Sequence, residues 1–151
     1  MGGAYIDVYP SEPKVRKDPN WVTPLAGCPN TILTPHIGGS TSEAQASIGH
    51  EVAAKLSDYL LCGKTASSVN FPGVDVPYNP KTHRICNVHK NTPGVLREIN
   101  NILGGFNISS QVLRTTEKIG YLVADVDTAA SKQIKQQISD MDSSLHTRIL
   151  Y

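Results

Sequence analysis

The strongest constraint on how this chain can fold lies in residues 81–151, where the hydrophobic period switches repeatedly between that of a strand and that of a helix. Arg84-Ile85-Cys86-Asn87-Val88-His89 alternates as a strand with Cys86 and Val88 inward. Thr92 is placed to cap a helix with Pro93 at its first position. Val95, Leu96, Ile99, Ile102 and Leu103 then form a helical stripe that stops at Gly104-Gly105. Residues 107–115 read as a second strand and residues 119–126 as a third, with Leu122, Ala124 and Val126 on one face and Glu117-Lys118 at the hairpin turn. Asp127 or Thr128 is placed to cap a second helix that carries Ala130, Ile134, Ile138 and Met141, and residues 145–151 alternate as a last strand. The order β-α-β-β-α-β puts helices on one face of an antiparallel sheet, an α+β unit of ferredoxin-like arrangement that can fold by itself.

Upstream, the pattern is incomplete. Ala4-Tyr5-Ile6-Asp7-Val8-Tyr9 and Thr31-Ile32-Leu33-Thr34 are short apolar runs, each ended by a proline, and both read as buried strands. Ser40 with Glu43 makes a capping box, after which Ala44, Ile48, Val52, Leu56 and Leu60 recur at four-residue intervals on one helical stripe. Two strands and one helix within about sixty residues cannot bury a self-sufficient core, so a partner or further sequence must cover them. Proline, glycine and serine concentrate between residues 63 and 80, which marks a connector. The expected division is an upstream part at 1–63, a linker at 64–80 and the complete unit at 81–151.

With 14 basic and 13 acidic side chains the net charge is +1, which offers no footprint for nucleic acid and no polybasic stripe for a membrane surface. No apolar run is long enough to span a bilayer, and the first residues lack a signal peptide's basic start, so the chain is expected in the cytosol. Cys28, Cys62 and Cys86 are far apart and read as buried free thiols. The five histidines show no ligand spacing, and no metal site is expected.

Chemistry is best sought in the loops that follow the two upstream strands. Asp7 lies in the first strand, Glu12 follows it in Tyr9-Pro10-Ser11-Glu12-Pro13, and His36 follows the second in Thr34-Pro35-His36-Ile37-Gly38-Gly39. A loop histidine paired with a carboxylate is the minimal device for moving a proton at neutral pH, because the carboxylate fixes the tautomer and stabilises the imidazolium. Taken singly, His36 reads rather as a structural or exposed loop residue and Glu12 as a solvated turn residue, and spacing by itself does not decide.

Taken together the residues resemble a known family. Gly3-Ala4-Tyr5-Ile6-Asp7-Val8-Tyr9-Pro10-Ser11-Glu12-Pro13, then Asn30-Thr31-Ile32-Leu33-Thr34-Pro35-His36-Ile37-Gly38-Gly39-Ser40-Thr41, then Glu43-Ala44-Gln45 and Val69-Asn70-Phe71-Pro72 are similar to the C-terminal portion of the phosphoglycerate dehydrogenases, NAD-dependent enzymes of the D-2-hydroxyacid dehydrogenase family. The resemblance implies that residues 1–63 are an incomplete remnant of an α/β dehydrogenase body. It implies His36 as the catalytic acid/base, Glu12 as the carboxylate bonded to it, Asp7 as a residue near the nicotinamide, and Gly38 and Gly39 as small residues passing beside the cofactor. Residues 81–151 resemble an ACT domain. For that unit the resemblance implies L-serine as effector, bound by His89 and Asn91 on one loop and by Asn107 across an interface between modules joined at their sheet edges. The implied partners are therefore a second copy or a full-length enzyme.

Departures from the family pattern set the functional expectation. No G-x-G-x-x-G occurs among the 151 residues, and no position matches the substrate arginine, since Arg16 follows the motif that it should precede. The family's glycine hinge is replaced by Tyr78-Asn79-Pro80-Lys81, a stiffer link. The expectation is a truncated dehydrogenase chain that keeps the acid/base half of the site and lacks the hydride half, with little or no activity alone and NAD as the cofactor of the intact family enzyme, or else a free-standing serine-binding module or an association partner of the full enzyme.

Overall fold

A computed structural model describes residues 2–13, 18 and 20–151; Arg16 lies outside them. The chain forms two compact units, residues 1–51 and 52–151. The division falls inside a helix and upstream of residue 63, because the connector does not hang between two bodies but packs with the downstream unit.

In the first unit β1 (Ala4–Ile6) and β2 (Thr31–Leu33) pair in parallel, with Tyr5 opposite Ile32. The expectation of buried strands fails: Tyr5 is 67% and Ile32 63% exposed. A parallel pair is ordinarily covered on both faces by crossover helices, and no other described strand extends this sheet. Asp7 lies just beyond β1 rather than within it. Helix α1 (Ser42–Cys62) is capped by Thr41, whose Oγ1 accepts the Ala44 N–H at 3.1 Å, not by the expected box at Ser40. The stripe of Ile48, Val52, Leu56 and Leu60 is roughly half exposed, and no residue of α1 is buried. Near the helix's end the half-buried positions are instead Lys55, Asp58, Tyr59 and Cys62, one helical face with polar groups in it.

The second unit is built on β3 (His83–Lys90), α2 (Val95–Leu103), β4 (Ile108–Thr115), β5 (Ile119–Val126), α3 (Ser131–Ser139) and β6 (Ser144–Leu150). The four strands form one antiparallel sheet, as expected of the β-α-β-β-α-β succession, and stand in the order β4-β5-β3-β6. Ile85, Leu122, Ala124 and Val126 face Val95, Ile99, Leu103, Ile134, Ile138 and Met141 in a core between sheet and helices. Both helix starts differ from expectation. The residue preceding α2 is Gly94 at φ 96°, that preceding α3 is Ala130, and neither gives a side-chain cap. The chain turns tightly first, with Val95 N–H on the Thr92 carbonyl and Ala130 N–H on the Asp127 carbonyl.

The sheet's other face is also covered. Cys86, Tyr121 and Val123 are buried there with Val74, flanked by Phe71, Val76 and Val88. Cys86 and Val88 therefore face the connector, while Ile85, Asn87 and His89 face the helices; the strand alternates as expected, but both of its faces are inward. Arg84, 1% exposed, crosses this second layer. Its guanidinium holds Asp125 through Nε at 2.7 Å and Nη2 at 2.9 Å, and donates to the carbonyls of Cys62, Val76 and Pro77. Tyr121 donates to the Gly63 carbonyl, and Arg148 lies 4.2 Å over the Tyr59 ring and donates to the Tyr59 carbonyl. Of the three thiols only Cys86 is buried, which pushes its pKa up; Cys62 is half-buried and Cys28 exposed.

Candidate functional site: an acid/base pair and a helix-start loop

The first unit brings Glu12 and His36 together. His36 Nδ1 stands 2.6 Å from Glu12 Oε2, and Glu12 Oε1 accepts the Tyr9 N–H at 2.7 Å, so each carboxylate oxygen has one partner. The bond to His36 first, then that from Tyr9, holds the Glu12 carboxyl below the usual glutamate value. The pairing is therefore present above the ordinary carboxylate range and is lost as pH falls through the lowered value. Both side chains remain open to solvent, His36 at 47%. With Nδ1 turned to the carboxylate, Nε2 is the ring atom left to exchange a proton with an outside group.

The loop that presents His36 is fixed from Asp7. One carboxylate oxygen accepts the Thr34 hydroxyl at 2.5 Å and the Ile37 N–H at 3.1 Å, and the other accepts the Gly38 N–H at 2.9 Å. These bonds, the one from Thr34 first, keep the Asp7 carboxyl below its ordinary value. They also explain Gly38: a Cβ there would stand 3.1 Å from Asp7 Oδ2, tighter than most contacts, whereas a Cβ on Gly39 would meet only Ile48 Cδ1 at 3.8 Å. His36 itself is held at φ 53°, an uncommon conformation for a residue with a Cβ. Sequence reasoning missed Thr34 and Tyr9, whose hydroxyl reaches the Thr34 carbonyl at 2.6 Å; a tyrosine in an apolar run carries no sign of what its hydroxyl meets.

The residues described fit a proton-transfer pair better than they fit a dinucleotide. Asp7 spends its acceptors on its own loop, and the chain lacks the glycine cradle that would take a pyrophosphate. No cluster of metal-ligating side chains occurs among the described residues.

In the second unit the expected effector residues separate in character. Asn91 and Asn107 are exposed, and the Asn91 amide donates to the Thr116 carbonyl at 2.8 Å. His89 is buried, its Nδ1 2.9 Å from Asn87 Oδ1 and its far edge against Gly120; burial pushes its pKa down. The start of α2 beside Gly94 has no side-chain cap, and a helix start is the local setting that attracts a carboxylate.

Comparison with known proteins adds to this geometry. Residues 85–145 match the AHAS small subunit-like ACT domain family. Over its whole length the chain is 56% identical to a D-3-phosphoglycerate dehydrogenase of Dictyostelium discoideum, 44% to one of Haemophilus influenzae and 43% to one of Escherichia coli K12. It spans 37% of the length of each of these relatives. Among solved structures, the ACT domain from GTP pyrophosphokinase of Chlorobium tepidum is 16% identical, with a TM-score of 0.41 over 45% of this chain and 83% of that one. No helix among the described residues is long and apolar enough to cross a membrane.

Proposed function

We propose that this chain, homologous over its whole length to the ACT-containing C-terminal part of the D-3-phosphoglycerate dehydrogenases, supplies the proton-transfer half of that NAD-dependent oxidation together with an amino-acid-sensing module. The observation that carries the reading is the 2.6 Å contact between His36 and Glu12. In the direction of 3-phosphoglycerate oxidation to 3-phosphohydroxypyruvate, the hydroxyl proton passes to His36 Nε2. Glu12 accepts the Nδ1–H, stabilises the imidazolium that results, and holds the ring until the proton leaves to water. The hydride acceptor would be NAD held by a glycine cradle; these 151 residues contain neither that cradle nor the substrate arginine, and the chain by itself does not turn over.

The test is direct. The purified chain mixed with NAD and 3-phosphoglycerate is expected to give no NADH, and sustained production by a preparation free of other dehydrogenases would overturn the claim of inactivity.

A second role is favoured by the exposed Asn91 and Asn107 and the uncapped start of α2: binding of L-serine by its carboxylate at the helix start. Calorimetry with L-serine is expected to show heat in the parent chain and to lose it in Asn91→Ala and in Asn107→Ala. No heat in the parent rejects the sensor. A contact from Asn107 of a second copy implies modules joined at the sheet edges β4 or β6, and a full-length dehydrogenase subunit in the cytosol offers the same edge.

A further inference from the structure

Tyr9 is the one buried residue among those described in the first unit, in a segment whose neighbours lie open. It reaches both halves of the acid/base pair. Its N–H fixes Glu12 Oε1 at 2.7 Å, which leaves Oε2 for His36. Its hydroxyl lies 2.6 Å from the carbonyl of Thr34, two residues before His36, and 3.1 Å from that of Ile6, so its single proton goes chiefly to Thr34. Thr34 is thereby gripped at both ends, its hydroxyl on Asp7 and its carbonyl on Tyr9. The phenol ring packs edge-on against Trp21, centroids 5.5 Å apart, and the Trp21 indole N–H donates to the Ser11 carbonyl next to Glu12.

From this geometry we propose that Tyr9 is a positioning residue for the proton-transfer pair, its hydroxyl setting the approach of His36 to Glu12. The proposal rests on the proton-transfer reading above and names the residue that keeps that pair in register. The need for such an anchor is visible in the backbone. Ser11 and His36 stand at φ 62° and 53°, on either side of the pair, and such conformations in residues with a Cβ persist only where the surroundings over-determine them. The β1–β2 pair offers no packed core to do this, since its side chains are exposed or half-buried. The hydrogen bonds of Tyr9 and Asp7 do it instead, one on each side of Thr34.

The experiment compares the full 151-residue chain with Tyr9→Phe, which keeps the ring and removes the hydroxyl. Carbon-13 detection follows the Glu12 carboxyl with pH, and nitrogen-15 detection follows the His36 tautomer. His36 and Asp7 are the titratable groups that act on Glu12, and the substitution removes neither side chain. In the variant the Glu12 midpoint is expected to rise toward the ordinary value of 4.5, and the share of His36 protonated at Nδ1 is expected to fall. An unchanged midpoint and tautomer overturn the proposal. Loss of the amide signals of Thr31–Leu33 also overturns it, because Tyr9 would then be a folding residue. Both signals are read without substrate or cofactor, so absence of dehydrogenase chemistry leaves the result for Tyr9 standing by itself.

Discussion

Replacing Arg84 by alanine is expected to destabilise residues 52–151 by about 3–5 kcal/mol, since removing one partner of a buried ion pair leaves the other charge uncompensated. Asp125 would be that charge, its side chain 4% exposed between β5 and the connector. On a unit of this size the loss lowers the thermal midpoint by something on the order of 20 °C. A second comparison separates the pair from the guanidinium's other work. Arg84→Met with Asp125→Leu removes both charges and should recover much of the loss, as apolar replacements of buried pairs often do. It cannot restore the bonds to Cys62, Val76 and Pro77, so the doubly substituted chain should refold yet be cut faster by protease within residues 63–80. Thermal unfolding followed by circular dichroism reads the first effect, and the time course of limited proteolysis the second. If the single substitution costs less than about 1 kcal/mol, the range of an exposed ion pair, Arg84 does not bridge sheet and connector as described.

Gly120→Ala is expected to be the next most damaging change. A methyl group there would stand 2.2 Å from His89 Nε2 and within 3 Å of two further ring atoms. A ring at the end of a side chain ordinarily swings away cheaply, but His89 is buried and its Nδ1 is engaged by Asn87. Asn87 is in turn fixed by Ser144 and Thr147. Relief therefore means either turning His89 out of this layer or parting β3 from β5, where the two residues stand opposite each other. Overpacking of this kind costs about 1–3 kcal/mol, with loss of the Asn87 bond adding to it.

The acid limb of the stability curve gives an independent reading of the same contact. Burial lowers the His89 pKa, so below the ordinary value of 6.5 the unfolded chain binds a proton that the folded chain refuses, and stability falls as pH falls. If Gly120→Ala expels the ring into water, the midpoint of His89 returns toward 6.5 and its share of this pH dependence disappears. A variant as stable as the parent, with an unshifted His89, would show that the ring is not held against Gly120.

These two expectations concern side chains whose importance no pattern in the chain announces. Arg84 opens an alternating strand as a charge of the kind that usually faces water, and Gly120 sits beside a hairpin like any turn glycine. What makes them critical is a second covered face of the sheet and a histidine folded inward, and both depend on residues far away in the chain. His36 and Glu12 were more legible, though as a pair only through the family resemblance, since their residue types and spacing by themselves did not decide. Their 2.6 Å approach, the Asp7 clamp on Thr34, Ile37 and Gly38, and the hydroxyl of Tyr9 were not legible. Side-chain hydrogen bonds leave no periodicity to read.

The sequence by itself determined the β-α-β-β-α-β order, the sheet-facing stripes of its helices and the candidate proton-transfer residues. Local backbone preferences and the spacing of apolar side chains are written residue by residue. Tertiary structure alone decided which faces those stripes meet. The connector forms a second layer on the sheet, with Val74 packed among Cys86, Tyr121 and Val123 and its carbonyls bound by Arg84 and Tyr121. Helix α1 presents Tyr59 and Cys62 toward its packed side and leaves Ile48, Val52, Leu56 and Leu60 largely open, the reverse of what hydrophobicity predicts. Burial is a property of what stands opposite, and a stripe of apolar residues states a demand for cover without stating where the cover comes from.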